Sequence, residues 1–118
     1  MAFKGNIELL TEHNKNYRKV LYTNKKQQLV LMSIPPKLDI GMERHKHTSQ
    51  FIRVEEGHGK AIIGGKNYRI KEGDAVVIPP GSYHNIINTD KETHLKLYTI
   101  YCPPVHKDRL IQKDKVEE

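Results

Sequence analysis

Gly73-Asp74-Ala75-Val76-Val77-Ile78-Pro79-Pro80-Gly81-Ser82-Tyr83-His84-Asn85-Ile86-Ile87-Asn88 is the stretch on which the fold turns. Ala75 to Ile78 is a short apolar run led in by the turn residues Lys71-Glu72-Gly73-Asp74, which reads as a strand. Pro79-Pro80-Gly81 then forces a corner: each proline fixes its own φ and offers no N–H to a ladder, and glycine permits the tight bend. A second strand over 83–88 follows, carrying His84.

The same alternation of short runs and turn residues extends outward in both directions. Residues 60–63 and 67–70 flank Gly64-Gly65, a two-residue hairpin turn. Residues 50–55 precede Gly57-His58-Gly59. Residues 17–22 and 27–34 form two opening strands, the second stopped by Pro35-Pro36, and a last strand lies near 95–101. Helical spacing is weak everywhere, and surfaces only around Ile7 to Leu10 and near the C-terminus. The fold class is therefore all-β. Eight or more strands at intervals of about 8–12 residues make an antiparallel sandwich or barrel, and a double-sheet jelly roll is one way to limit open edges.

Composition narrows the function. The 118 residues make one domain, with 36% apolar and 29% charged side chains. No apolar run approaches the roughly 20 residues that cross a bilayer, and no secretory signal is recognisable, so the expectation is a cytoplasmic protein with no membrane role. The net charge of +6 comes from dispersed lysines interleaved with acids, as in Lys113-Asp114-Lys115-Val116-Glu117-Glu118. Without an aromatic-studded basic stripe this is a solvated face, and no nucleic-acid partner is expected. The single cysteine, Cys102, excludes an intrachain disulfide and reads as a packed residue at a strand end. The polar tail after Pro104 is expected to dock loosely or to swap onto a partner.

Candidate ligands gather in two places. Glu43, His45 and His47 share one side if 42–47 is extended, Gln50 opens the next strand, and His84 comes from a third. Donors fixed on separate strands suit metal coordination, which holds them at about 2.0–2.2 Å from the ion. Spacing alone leaves the first group open, since both Glu43-x-His45 and His45-x-His47 are available.

With these residues in view, the chain resembles a small single-domain cupin over about residues 27–101, within a single domain of 1–118. That family has two motifs, Gly-(x)5-His-x-His-(x)3,4-Glu-(x)6-Gly and Gly-(x)5-Pro-x-Gly-(x)2-His-(x)3-Asn. Gly73, Pro79, Gly81, His84 and Asn88 fit the second at every spacing. The first fits if Glu43 and His45 occupy the His-x-His positions, which places Gln50 on the Glu, Gly57 on the last Gly and Lys37 on the opening Gly. The alternative, with His45 and His47 on those positions, leaves Gln50 one residue too near.

The resemblance implies a double-stranded β-helix, or jelly-roll, barrel that is often dimeric and holds a metal in its mouth. The implied ligands are Glu43, His45, Gln50 and His84, for a divalent Zn, Mn, Fe, Co or Ni ion. His47 becomes a near-site residue, a candidate catalytic base or substrate contact, or a solvated side chain. The set is similar to that of the phosphomannose isomerase cupins, whose zinc is also held by two His, one Glu and one Gln, with the Gln and Glu in the opposite motif positions. The functional expectation is a metal-dependent, isomerase-like enzyme on a small polar molecule such as a sugar or sugar phosphate. A non-catalytic cupin that binds or senses a small ligand, and an Fe(II)-dependent dioxygenase, are the alternatives. A homodimer is expected, with Phe51 and Ile87 as apolar residues on the outer face of one sheet that need cover.

Overall fold

The computed structural model describes residues 1–115; the last three residues of the polar tail lie outside the described residues. Helix α1 (Ile7–His13) is followed by β1 (Arg18–Thr23), β2 (Gln28–Ile34), β3 (Ser49–Glu56), β4 (His58–Ile63) and β5 (Lys66–Lys71). The chain continues with β6 (Ala75–Ile78), β7 (His84–Asn88), β8 (Leu95–Cys102) and β9 (Ile111–Gln112). The strands form two antiparallel sheets, one of order β6-β3-β8-β2-β1-β9 and one of order β5-β4-β7. This is the mostly β jelly roll expected from the sequence, with one short helix.

Period-two alternation drives the packing. Ile52 and Val54 on β3, Val30 and Met32 on β2, and Leu95 and Leu97 on β8 point between the sheets and are at most 3% exposed. Ala61, Ile70 and Ile86 answer from the smaller sheet. The Gly64-Gly65 turn is the expected hairpin: both residues have positive φ, +57° and +82°, and Ile63 pairs with Lys66 across it. The weak helical signal near Ile7 is α1, capped by the Asn6 side chain, which accepts from the Leu9 N–H. It packs against β8, β3 and β2. The weak signal near the C-terminus is no helix; β9 pairs with β1 there instead.

The tail after Pro104 docks on its own barrel, through the β9–β1 pairing and through one buried side chain. Gln28, with no exposed surface, donates from Nε2 to Thr23 Oγ1 and to the His106 carbonyl, while its Oε1 accepts from the N–H groups of Val105 and His106. Both ends of the amide are satisfied by segments about 78 residues apart in the chain. Two surface expectations change. Cys102 is exposed at the end of β8 rather than packed. Phe51 and Ile87 are both half-buried, but they lie on different sheets, β3 and β7, so they do not form one patch.

Gln28→Ala should therefore do more than empty a cavity, because it orphans two tail amides. The expected loss is about 2–4 kcal/mol in urea unfolding, with faster proteolysis beyond residue 103. Unfolding midpoints equal to wild type would show that this anchor does not hold the tail.

Candidate metal centre

Two reciprocal backbone hydrogen bonds fix the centre. The Glu43 N–H donates to the His84 carbonyl at 2.8 Å, and the His84 N–H returns to the Glu43 carbonyl at 2.9 Å. Similar contacts, Ile40 to Ile86 and Asn88 to Leu38, lay residues 38–43 along β7 as an irregular fourth ribbon of the smaller sheet. The Pro-Pro-Gly corner clamps the next residues: Gly81, at φ +86°, donates its N–H to the His45 carbonyl at 2.9 Å, and Arg44 Nε donates to the Gly81 carbonyl at 3.0 Å. The corner that the sequence makes obligatory is thus also a support for His45.

Glu43, His45 and His84 come together here, with one ligand atom from each lying within 4.8 Å of the others, a group that could hold a metal ion. His84 is 1% exposed. Its Nδ1 is 3.1 Å from the Ser82 carbonyl, which can only accept, so the ring proton sits on Nδ1 and the Nε2 lone pair is left for the site. Glu43 Oε1 is 3.9 Å from that Nε2, beyond a hydrogen bond. The His45 ring lies 5.4 Å from that of His84, and burial, only partly opposed by Glu43, holds its pKa below the ordinary value. Both features favour a neutral His45, the ligating form.

Gln50, the fourth expected ligand, lies on β3. It is 2% exposed, its Nε2 donates to Thr99 Oγ1 at 3.0 Å, and its Oε1 has no hydrogen-bond partner. The amide is therefore pinned by its nitrogen, with the oxygen unused. His47 is placed differently from its neighbours. Lys46 and His47 form a turn, so the strand alternation that would align Glu43, His45 and His47 ends at His45, and His47 is exposed. Lys37 supports the same register: it adopts φ +67°, in the left-handed region that favours glycine, at the position where the family pattern has its opening glycine.

Three further residues lie around the cluster. Tyr101 is 1% exposed, sets its ring edge-on to His45 at 5.7 Å, and shares a contact of 3.2 Å between its hydroxyl and His106 Nε2. Burial raises the Tyr101 pKa, so it remains a phenol. His106 is half-buried with its ring 5.1 Å from that of Tyr101, and burial first, then Arg18 and His45, press its pKa down to about 4. Arg18 enters from β1. Tyr101 could have been found from the inward alternation Leu95, Leu97, Thr99, Tyr101; nothing in the sequence marks His106 or Arg18, because the tail and β1 reach the mouth only through tertiary folding.

Residues 30–101 match the cupin domain family. The chain is 38% identical over 98% of its length to the uncharacterized protein YrkC of Bacillus subtilis, and 47% identical over 86% of its length to an uncharacterized protein of Acanthamoeba polyphaga mimivirus. It spans 64% and 65% of those two relatives, a little under two thirds. Among solved structures, a Bacillus halodurans protein, BH2720, superposes with a TM-score of 0.93 at 39% identity, covering 96% of this chain and 89% of that one. A predicted oxalate decarboxylase from Thermotoga maritima is more distant, with a TM-score of 0.68 at 25% identity, covering 74% of this chain and 79% of that one. The protein is a small cupin: it belongs to the cupin family.

The buried histidine of the tail gives a pH signature. His106 titrates at about 4 in the fold and near 6.5 when unfolded. Between those values the unfolded chain binds the extra proton, so acidification through the window lowers stability, by at most roughly 3 kcal/mol from this residue. Glu55, raised by burial, acts in the opposite sense, and Asp39, lowered first by its bond from Asn85, loses its contribution only at lower pH. His106→Gln should flatten the decline in urea-unfolding free energy between pH 6.5 and 4; an unchanged slope would contradict the assignment.

Proposed function

We propose that this cupin binds a divalent metal ion through Glu43, His45, His84 and the amide oxygen of Gln50, and acts as an isomerase-like enzyme on a small oxygen-rich molecule such as a sugar or sugar phosphate. The observation that carries this reading is a set of unused donors. Glu43 Oε1, His45 Nε2, Gln50 Oε1 and His84 Nε2 are all buried and lack hydrogen-bond partners. Leaving one such group unsatisfied costs about 1–3 kcal/mol, and a cation within reach of all four would compensate them together. Two imidazoles, a carboxylate and a carboxamide suit Zn, Mn, Fe, Co or Ni.

An ion held there would supply Lewis-acid polarisation of substrate oxygens. The remaining contributions come from the chain. The Ser82 carbonyl sets the His84 tautomer, Thr99 orients Gln50, and the corner at Gly81 holds His45, so the donors are arranged before any ligand arrives. The buried Tyr101 ring packs edge-on against His45. A non-catalytic binding cupin is the second reading, and one observation favours it: His47, the candidate base, is exposed on the Lys46-His47 turn and outside the cluster.

Protein purified without chelator should carry about one equivalent of a divalent metal by elemental analysis. Glu43→Ala and His84→Ala should lose it, Gln50→Ala should weaken binding by at least about tenfold, and His47→Ala should bind as wild type. A substrate panel of sugars and sugar phosphates, run with and without EDTA, separates the two readings: metal-dependent turnover supports the enzyme, and stoichiometric metal without turnover supports the binding module. Wild-type protein that takes up no metal would overturn both uses of the site.

A further inference from the structure

The chain beyond β8 meets the surroundings of every candidate ligand. Where it leaves the strand, the Pro103 carbonyl accepts from Thr48 Oγ1 at 3.0 Å, and buried Thr48 stands just before Gln50. Further on, His106 Nε2 lies 3.2 Å from the Tyr101 hydroxyl, with the two rings 5.1 Å apart and edge-on. Tyr101 in turn sets its ring edge-on to His45. Near the end of the described tail, Lys115 Nζ pairs with Asp39 Oδ1 at 3.0 Å, and the other oxygen of Asp39 accepts from Asn85 Nδ2 at 3.1 Å. Asp39 belongs to the ribbon that ends at Glu43, and Asn85 follows His84.

The tail is firmly placed to make these contacts. The Gln28 amide engages both main-chain groups of His106, the Val20 N–H donates to the Leu110 carbonyl, and the Tyr17 N–H donates to that of Lys113. The ligands differ in what orients them. One hydrogen bond sets His84 through Ser82, and another sets Gln50 through Thr99. His45 Nε2 has no such partner, and the neighbours of its ring are His84 at 5.4 Å and Tyr101 at 5.7 Å. A ligating ring is ordinarily oriented by a group behind it; for His45 that group is the Tyr101 ring. The buried phenol needs a partner for its own hydroxyl, and His106 supplies it.

We propose that His106 is a positioning residue of the metal centre, acting through Tyr101 on His45, so that the tail forms part of the site and its docking is coupled to metal binding. The inference rests on the metal-centre reading. Coupling of this kind is reciprocal: whatever the docked tail adds to metal affinity, bound metal returns to the docking of the tail. Pro103 on Thr48 and Lys115 on Asp39 tie the same tail to the segments of Gln50 and Glu43. One C-terminal segment thus braces donors that come from three separate parts of the chain.

The test is the zinc affinity of wild type, His106→Ala, Tyr101→Phe and the double variant, measured by competition with a chromophoric chelator. Each single change should weaken zinc about tenfold. The double variant should bind no more weakly than the singles, because both remove the same contact. Wild-type affinity in His106→Ala, or losses that multiply in the double variant, overturns the path through Tyr101. A second readout needs no variant. Saturating zinc should slow tryptic cleavage of wild type after Arg109, exposed in the tail, at least fivefold more than cleavage in the exposed Lys25-Lys26 turn. An unchanged rate at Arg109, or equal slowing at both places, overturns the coupling while zinc uptake leaves the metal-centre reading intact. Wild type that takes up no zinc overturns both.

Discussion

The reciprocal backbone bonds between Glu43 and His84 are the constraint on which the centre depends. Residues 38–43 have no long ladder of their own, and their register is set by a few bonds to β7. Glu43 is thereby fixed opposite His84, and His45 reaches the same side two residues later. One residue of slippage would turn both ligands to the other face, because successive side chains alternate sides in extended backbone. The Gly81 bond to the His45 carbonyl locks the far end of the segment, so the corner and the bridge together allow one register.

Around this fixed point the barrel places polar groups where a core would ordinarily be apolar. Gln28 and Gln50 occupy neighbouring inward positions, each pairing with Tyr101 across a ladder, yet they differ in what their amides do. Gln28 is satisfied at both ends and anchors the tail. Gln50 is satisfied at its nitrogen alone. A fully bonded buried amide stabilises structure, whereas a half-bonded one keeps an unused acceptor. The same contrast separates Lys115, which binds Asp39, from Arg18, whose buried Nε binds nothing.

Strand positions were legible in the sequence because each is bounded by residues with strong backbone preferences: Pro35-Pro36, Gly64-Gly65, Gly73 and Pro79-Pro80-Gly81. The pairing of Glu43 with His45 was legible only through the resemblance to the family's first motif, whose spacing to Gln50 and Gly57 it fits, and the positive φ of Lys37 agrees with it. His47 was not, since two residues of turn at Lys46 and His47 carry no local signal strong enough to break the expected alternation. The helical hint in the tail was misleading because the structure there comes from Gln28 and β1, far away in the chain.

The sequence by itself determined a mostly β barrel, its corners, and the strands that carry Gln50 and His84, because turn chemistry and period-two alternation are local properties. Only the tertiary structure decided that Glu43, His45 and His84 converge, and that Tyr101 packs against His45 with His106 on its hydroxyl. Convergence depends on how the strands associate across two sheets, and the favourable energy of that association comes from contacts between residues that sequence spacing leaves unrelated.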